Sequence, residues 1–372
     1  MADRPKMEYR QIAPGEPLSR LGMGCMRLPT RFGRIDYGAA QEIIDYAMNH
    51  GVNYYDTAYI YHAGQSEKFL GKTLQRYPRD RYRLATKYFG TGFPNYRKVF
   101  ANQLERLQTD YIDYYLIHSV MNATANGYER RGAIEYFLEQ KALGRIGHLG
   151  FSSHAGLDTL RDFLGVAPWD FVQLQINYYD WAFGSARQQY DIVTDAGLPI
   201  VVMEPVRGGK LAKLPADTAK PLERMHPAWT PAGWALRWVK GLDNVAVVLS
   251  GMSTLDQIRE NVAAFCSPAL TQAESDTLMH ACGALADTLA VPCTACRYCC
   301  DSCPKQIDIP ALMEAYNRYK APGGSFDAAE TARFPSGRGP ADCIRCGACT
   351  KHCPQEIDVP AVLSELASVL EP

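Results

Sequence analysis

The stretch VNYYDTAYIYHAGQSE, residues 52–67, opens as a short apolar strand, turns polar at Asp56 and then runs toward a helical pattern. Buried strands of a parallel sheet read as near-continuous apolar runs, so a carboxylate at the C-terminal end of one asks for an explanation. Working outward, the same strand-then-helix unit recurs. Strand candidates are LGMGCM (21–26), VNYYDTA (52–58), YRLATKY (82–88), IDYYLIH (112–118), IGHLGFS (146–152), FVQLQIN (171–177), PIVVMEP (199–205) and VAVVLSG (245–251). Between them lie helical patterns such as AAQEIIDYAMNHG, RKVFANQLERLQ, AIEYFLEQKALG and TLDQIRENVAAF. Several close on glycine, which best accepts a left-handed cap. Eight β-then-α units predict a parallel (β/α)8 barrel of the TIM type rather than an open doubly wound sheet. An open dinucleotide-binding sheet would also carry GxGxxG after a strand, and GMGCMR (22–27) lacks the third glycine.

The 372 residues allow a second, smaller domain, and the composition changes where cysteines begin to cluster, so the expected division is 1–287 and 288–372. With 39 Lys and Arg against 40 Asp and Glu, no overall field attracts nucleic acid or anionic lipid. A small neutral or modestly charged substrate is the better match. The start, MADRPKMEYRQIAPGE, has no apolar run of signal type, and no later stretch nears the ~20 apolar residues that span a bilayer, which predicts a cytoplasmic protein with no membrane partner. Leu211–Thr230, rich in proline, is expected to be a long loop on the face where barrel active sites sit.

Polar residues recur at early strand ends: Asp56, with Tyr61 close behind it, Lys87 in LATKYF and His118 in YYLIHS. Together they suit carbonyl reduction. Hydride addition leaves negative charge on the carbonyl oxygen, so a proton donor and an oxyanion partner are needed. A tyrosine of ordinary pKa near ~10 is too weak an acid alone, and an adjacent ammonium favours its phenolate. Asp56 would hold Lys87 charged, His118 would bond the substrate oxygen, and Tyr61 would donate the proton.

At these residues the chain resembles the aldo-keto reductases. The family pattern D-T-A-x-x-Y followed by S-E appears as Asp56, Thr57, Ala58, Tyr61, Ser66 and Glu67, with Lys87 and His118 on the next two strands. The resemblance covers about residues 8–290 and implies NADP or NAD bound extended at the barrel mouth, with a carbonyl or alcohol as substrate. It carries cofactor-binding roles to Gly24, Cys25 and Met26 at the end of the first strand. Ser152 and Gln173 would hold the nicotinamide carboxamide, and Met203 would face the ring. Arg207, Gly208, Gly209, Lys210 and Leu211 would cradle the pyrophosphate, and Ser250, Gly251, Arg259 and Asn261 would meet the adenosine end. The chain departs from the family where Ser153 replaces Asn, Met203 replaces an aromatic ring, and His62, Ala63 and Gly64 follow the tyrosine. Gln257 stands where an arginine often reads the 2′-phosphate, which leaves NADP against NAD open.

The remaining chemistry lies in CTACRYCCDSCP, residues 293–304. Cys293, Cys296, Cys299 and Cys303 fit C-x2-C-x2-C-x3-C-P, and Cys343, Cys346, Cys349 and Cys353 fit it again. Such spacing holds [4Fe–4S] clusters, with the fourth cysteine characteristically reaching the other cluster. Zinc sites prefer separated C-x2-C pairs. Two clusters are therefore expected, one on Cys293, Cys296, Cys299 and Cys353, the other on Cys343, Cys346, Cys349 and Cys303. Cys300 falls outside the spacing and is assigned to packing. Both motifs run on into I-D-[IV]-P and an apolar helical stripe, resembling a mainly helical dicluster ferredoxin domain, which a subgroup of aldo-keto reductases carries.

The leading reading is an oxidoreductase working at a carbonyl or alcohol, with clusters for electron transfer. A cluster moves single electrons and a nicotinamide moves a hydride. Direct coupling would need a two-electron switch such as a flavin, which barrels bind without a fingerprint, or a substrate that tolerates a radical, with an external ferredoxin or flavoprotein as the partner that feeds or drains electrons. An electron carrier with a non-catalytic barrel is the remaining alternative.

Overall fold

Eight parallel strands close into a barrel in the computed structural model, which describes residues 6–90, 92–130, 132–286, 289–321, 323–326, 337–353 and 355–370. The strands are β1 (Leu21–Gly24), β2 (Tyr54–Asp56), β3 (Arg83–Tyr88), β4 (Ile112–Val120), β5 (Ile146–Ser153), β6 (Phe171–Gln175), β7 (Ile200–Met203) and β8 (Val245–Gly251). They neighbour one another in sequence order, and β8 pairs with β1 to complete the ring. Each falls on the run expected to form it, in most cases covering only part of that run. Two short hairpins, Tyr9–Gln11 with Pro17–Ser19 and Thr30–Arg31 with Arg34–Ile35, stand outside the barrel.

Tyr54, Ala85, Leu116, Phe171 and Val201 belong to one apolar cluster within the barrel. Side chains on a strand return to the same face every second residue. One step further along each strand lie Asp56, Lys87, His118, Gln173 and Met203. The polar site is thus the next layer above an apolar floor.

Helix starts follow elementary capping chemistry: Asp36 accepts from Ala39 N at 3.2 Å at the start of Tyr37–Asn49, and Thr254 caps Leu255–Phe265 through Gln257 N at 3.2 Å. Gly51 and Gly144 take left-handed conformations after their helices, but Gln108, with φ of 54°, does the same after Tyr96–Leu107.

By its contacts the chain divides into two units, residues 1–206 with 228–276, and residues 207–227 with 277–372. The expected boundary at 287/288 lies outside the described residues. The proline-rich segment after β7 is not the loop its composition suggested. Ala216–Met225 forms a helix with Pro221 inside it, and residues 207–227 group with the cysteine-bearing unit.

That unit is built as two similar halves. A short helix within each cysteine run, Tyr298–Asp301 and Ala348–Lys351, is followed by a longer one, Ile309–Lys320 and Val359–Leu370. Leu312, Met313, Leu363 and Leu366 form its core. Ala295, Arg297 and Gln306 have positive φ, and so do Arg345, Gly347 and Glu356 at the equivalent places of the second half. Successive turns of this kind aim backbone N–H groups inward as an anion-binding concavity.

Candidate active site and cysteine centres

Asp56 ends β2 and Lys87 lies on the adjacent β3, which puts their side chains on one face. Lys87 Nζ donates to Asp56 Oδ1 at 2.5 Å and to Thr57 O at 2.7 Å, and both side chains are buried. Burial pulls the Lys87 ammonium below its ordinary value, and the Asp56 carboxylate opposes that. Tyr61 presents its ring 5.1 Å from Lys87 Nζ. His118, on β4, meets the same ring edge-on, centroids 5.7 Å apart. Burial first, then the Lys87 cation, holds the His118 imidazole well below its usual pKa, so the ring is neutral near pH 7 and keeps one N–H to donate. Brought together from the ends of β2, β3 and β4 and, for Tyr61, from the 3-10 turn Tyr61–Gly64 that follows β2, the four residues form one site.

Several expected cofactor positions surround it. Ser152 pairs in register with Gln173, and its Oγ accepts from Ser119 N at 2.8 Å. Gln173 Nε2 points to Met203 Sδ at 3.3 Å, while Gln173 Oε1 is buried with no partner among the described residues. Asn261 is buried and donates to Ser250 Oγ at 2.9 Å. Gly24 and Gly251 pair across β1 and β8, and Met26 follows Cys25, whose buried thiol is pushed above its ordinary value. Arg259 stands apart from Asn261 on the exposed face of its helix, paired with Asp256 at 3.3 Å. The run Arg207–Leu211 lies in the second unit: Arg207 Nη2 donates to Pro292 O at 3.1 Å, and Leu211 is buried. Gly209, with φ of 95°, has open space where a Cβ would be.

Cys303 of the first motif lines one cavity together with Cys343, Cys346 and Cys349 of the second. Conversely, Cys353 of the second motif is near enough to Cys293 to act electrostatically on its thiol, as Cys300, Cys296 and Cys293 do on Cys299. No three His, Cys, Asp or Glu among the described residues gather as the ligands of a single metal ion would. Cys300 packs against the apolar core of the unit.

The model of the aldo/keto reductase family matches residues 20–281, which span the barrel and all four polar residues of its site. The chain belongs to the aldo/keto reductase family. A 4Fe-4S dicluster domain matches residues 292–357 of this reductase. Similar proteins include the uncharacterized oxidoreductase YqkF of Bacillus subtilis, 26% identical over 73% of this chain and 95% of the relative. The NADH-specific methylglyoxal reductase of Escherichia coli is 25% identical over 66% of this chain and 90% of the relative. Among solved structures, the holo form of the aldo-keto reductase AKR11C1 from Bacillus halodurans superposes with a TM-score of 0.62 at 30% identity, covering 74% of this chain and 96% of that one.

Sequence reasoning quoted Ser66 and Glu67 of the reductase only as pattern. The structure shows their work. Ser66 Oγ donates to Cys25 O at 2.9 Å and accepts from Thr57 Oγ1 at 2.8 Å. Glu67, fully buried, accepts from Thr86 Oγ1 at 2.7 Å, Gln103 Nε2 at 2.8 Å and Arg106 Nη1 at 3.0 Å. Gln103 Nε2 also reaches Lys87 O at 3.0 Å, so this network fixes the backbone that carries the lysine. His62, Ala63 and Gly64, all at positive φ, turn the chain sharply between Tyr61 and the helix Gln65–Leu74 that carries Ser66 and Glu67, and a Cβ on Gly64 would lie 2.8 Å from Arg106 Nη1. Arg27 and Glu204, 3.7 Å apart, were also unremarked in the sequence.

Proposed function

We propose that this aldo/keto reductase reduces a small carbonyl compound, or oxidises the corresponding alcohol, with NADP or NAD, and that its second unit carries two [4Fe–4S] clusters. The observation that carries the reading is the buried Asp56–Lys87 pair set beside Tyr61, with neutral His118 against the same ring.

A reduced nicotinamide, when bound, supplies the hydride. Gln173 Oε1 suits it, because a buried acceptor without a partner is what a carboxamide N–H satisfies. Ser152 joins it there, Met203 faces the ring, and Ser250, Gly251 and Asn261 serve the adenosine end. As the carbonyl oxygen gains negative charge, the His118 N–H donates to it and the Tyr61 hydroxyl gives up its proton. The Lys87 cation stabilises the phenolate left behind, and Asp56 keeps the proton on Lys87. Proton transfer from a positioned acid contributes about 10²–10⁴ in rate.

Cys293, Cys296, Cys299 and Cys353 are assigned to one cluster, and Cys343, Cys346, Cys349 and Cys303 to the other. When bound, the clusters supply one-electron transfer. A ferredoxin or flavoprotein is the matching partner, in the cytoplasm. No helix among the described residues is long and apolar enough to cross a membrane.

Anaerobic purification with iron and sulfide counts, optical and EPR spectra, and extraction of organic cofactor tests this. The expected result is about eight iron atoms per chain, no flavin, and NAD(P)H oxidation driven by small carbonyls. Zinc in place of iron would overturn the cluster assignment. Bound flavin, with clusters reoxidised by substrate without nicotinamide, would overturn the hydride route.

A further inference from the structure

Directly after β7 the chain forms a tight strap, Arg207–Ala212, which belongs to the cysteine-bearing unit. Its residues fix on the segment around Cys293. Arg207 is 1% exposed, and its Nη2 donates to Pro292 O at 3.1 Å. Gly208, at φ of 68°, lies so close to Thr294 that a Cβ would stand 1.8 Å from Thr294 O. Two consecutive strap residues therefore hold the two residues that flank Cys293. Asn317 secures the same segment by accepting from Val291 N at 2.7 Å and donating to Val291 O at 3.0 Å. Ala295 N donates to Cys293 Sγ at 3.4 Å. Lys210, partly buried, and Arg207 both act electrostatically on the Cys293 thiol.

We propose that Arg207 and Lys210 set the reduction potential of the cluster held by Cys293, as two cations carried on the strap that Arg207 and Gly208 fasten to the residues flanking that ligand. The inference rests on the assignment of Cys293, Cys296, Cys299 and Cys353 to one cluster. Reduction adds one negative charge, and a nearby cation favours the more negative state, more strongly where water is excluded. The arginine guanidinium is a permanent cation with a fixed fork of donors, which lets it brace Pro292 and act on the cluster at once. Gly208 makes this possible, since any side chain there would push the strap off Thr294.

The test is an anaerobic redox titration of the full chain, followed by EPR, on the wild type and on Arg207→Gln, Lys210→Gln, Arg207→Lys and Lys210→Arg. In each glutamine variant one of the two cluster transitions moves to lower potential, its ratio of reduced to oxidised cluster at fixed potential falling about tenfold, or ~59 mV for a one-electron couple. The other transition stays in place, and the charge-keeping variants restore the first. Iron-replete Arg207→Gln and Lys210→Gln proteins with both transitions at wild-type potential would overturn the inference while leaving the ligand assignment standing. If the buried Arg207→Gln variant does not fold, Lys210→Gln alone gives the same decision. A wild-type chain that fails to assemble two clusters would overturn the ligand assignment itself, and the inference with it.

Discussion

The ammonium of Lys87 lies 2.5 Å from Asp56 Oδ1 and 5.1 Å from the centre of the Tyr61 ring. One buried cation thus answers to a carboxylate on one side and to a phenol on the other. Breaking a buried pair by removing one partner costs about 3–5 kcal/mol, because the other charge is left uncompensated. Lys87→Met should lose that much in urea denaturation, and Asp56→Asn combined with Lys87→Met should recover a large part of it. All of these variants should be catalytically crippled. A double variant no more stable than Lys87→Met would show that the pair is not the source of the loss.

Glu67 should matter to activity without touching substrate. Glu67→Ala strands Thr86, Gln103 and Arg106, and buried hydrogen bonds to a charged group are worth about 1.5–3 kcal/mol. Thermal unfolding should record that loss, and turnover should fall because Gln103 no longer holds the Lys87 carbonyl firmly. Glu67→Gln keeps an acceptor for Thr86 and should lose less on both counts.

Acid should weaken the fold through the imidazoles of buried His118 and partly buried His154. His118 is held well below the usual histidine pKa by burial and by Lys87, and burial pushes His154 down to about 4. Below pH ~6.5 the unfolded chain binds protons that these native rings refuse, so stability falls as pH drops through that value, by up to about 2 kcal/mol at pH 5 for His154. His154→Gln should flatten the slope of stability between pH 5 and pH 7. An unchanged slope, or a native His118 signal that titrates in that range by NMR, would contradict the burial argument.

If the fourth cysteine of each motif crosses over, Cys303→Ser should impair the cluster of the second motif, and Cys353→Ser that of the first. EPR of reduced protein, with iron counts, distinguishes the two. Cys300→Ala should keep both clusters. Loss of the first-motif signal in Cys303→Ser would mean that each motif is self-contained.

The strands and the polar layer were legible because both rest on local pattern: apolar runs of fixed length, with Asp56, Lys87 and His118 each one pleat step above an apolar residue. The cysteine spacing is equally local. The network of Glu67, Thr86, Gln103 and Arg106 was not legible, since only folding brings residues so far apart in sequence into contact. Left-handed conformations at Ala295, Arg297 and Arg345 carry no glycine to announce them. Pro221 argued for a loop, yet its helix forms on packing, which overrides local preference. Arg259 and Asn261 share a motif, but two residues along a helix turn them to opposite faces.

In the proposed nicotinamide-linked reduction, Tyr61 passes the proton. The most direct measurement is NAD(P)H oxidation by anaerobic Tyr61→Phe protein with small carbonyl substrates, alongside cofactor binding by fluorescence. Turnover should fall by at least about 100-fold with cofactor affinity unchanged. Wild-type turnover in Tyr61→Phe would contradict it.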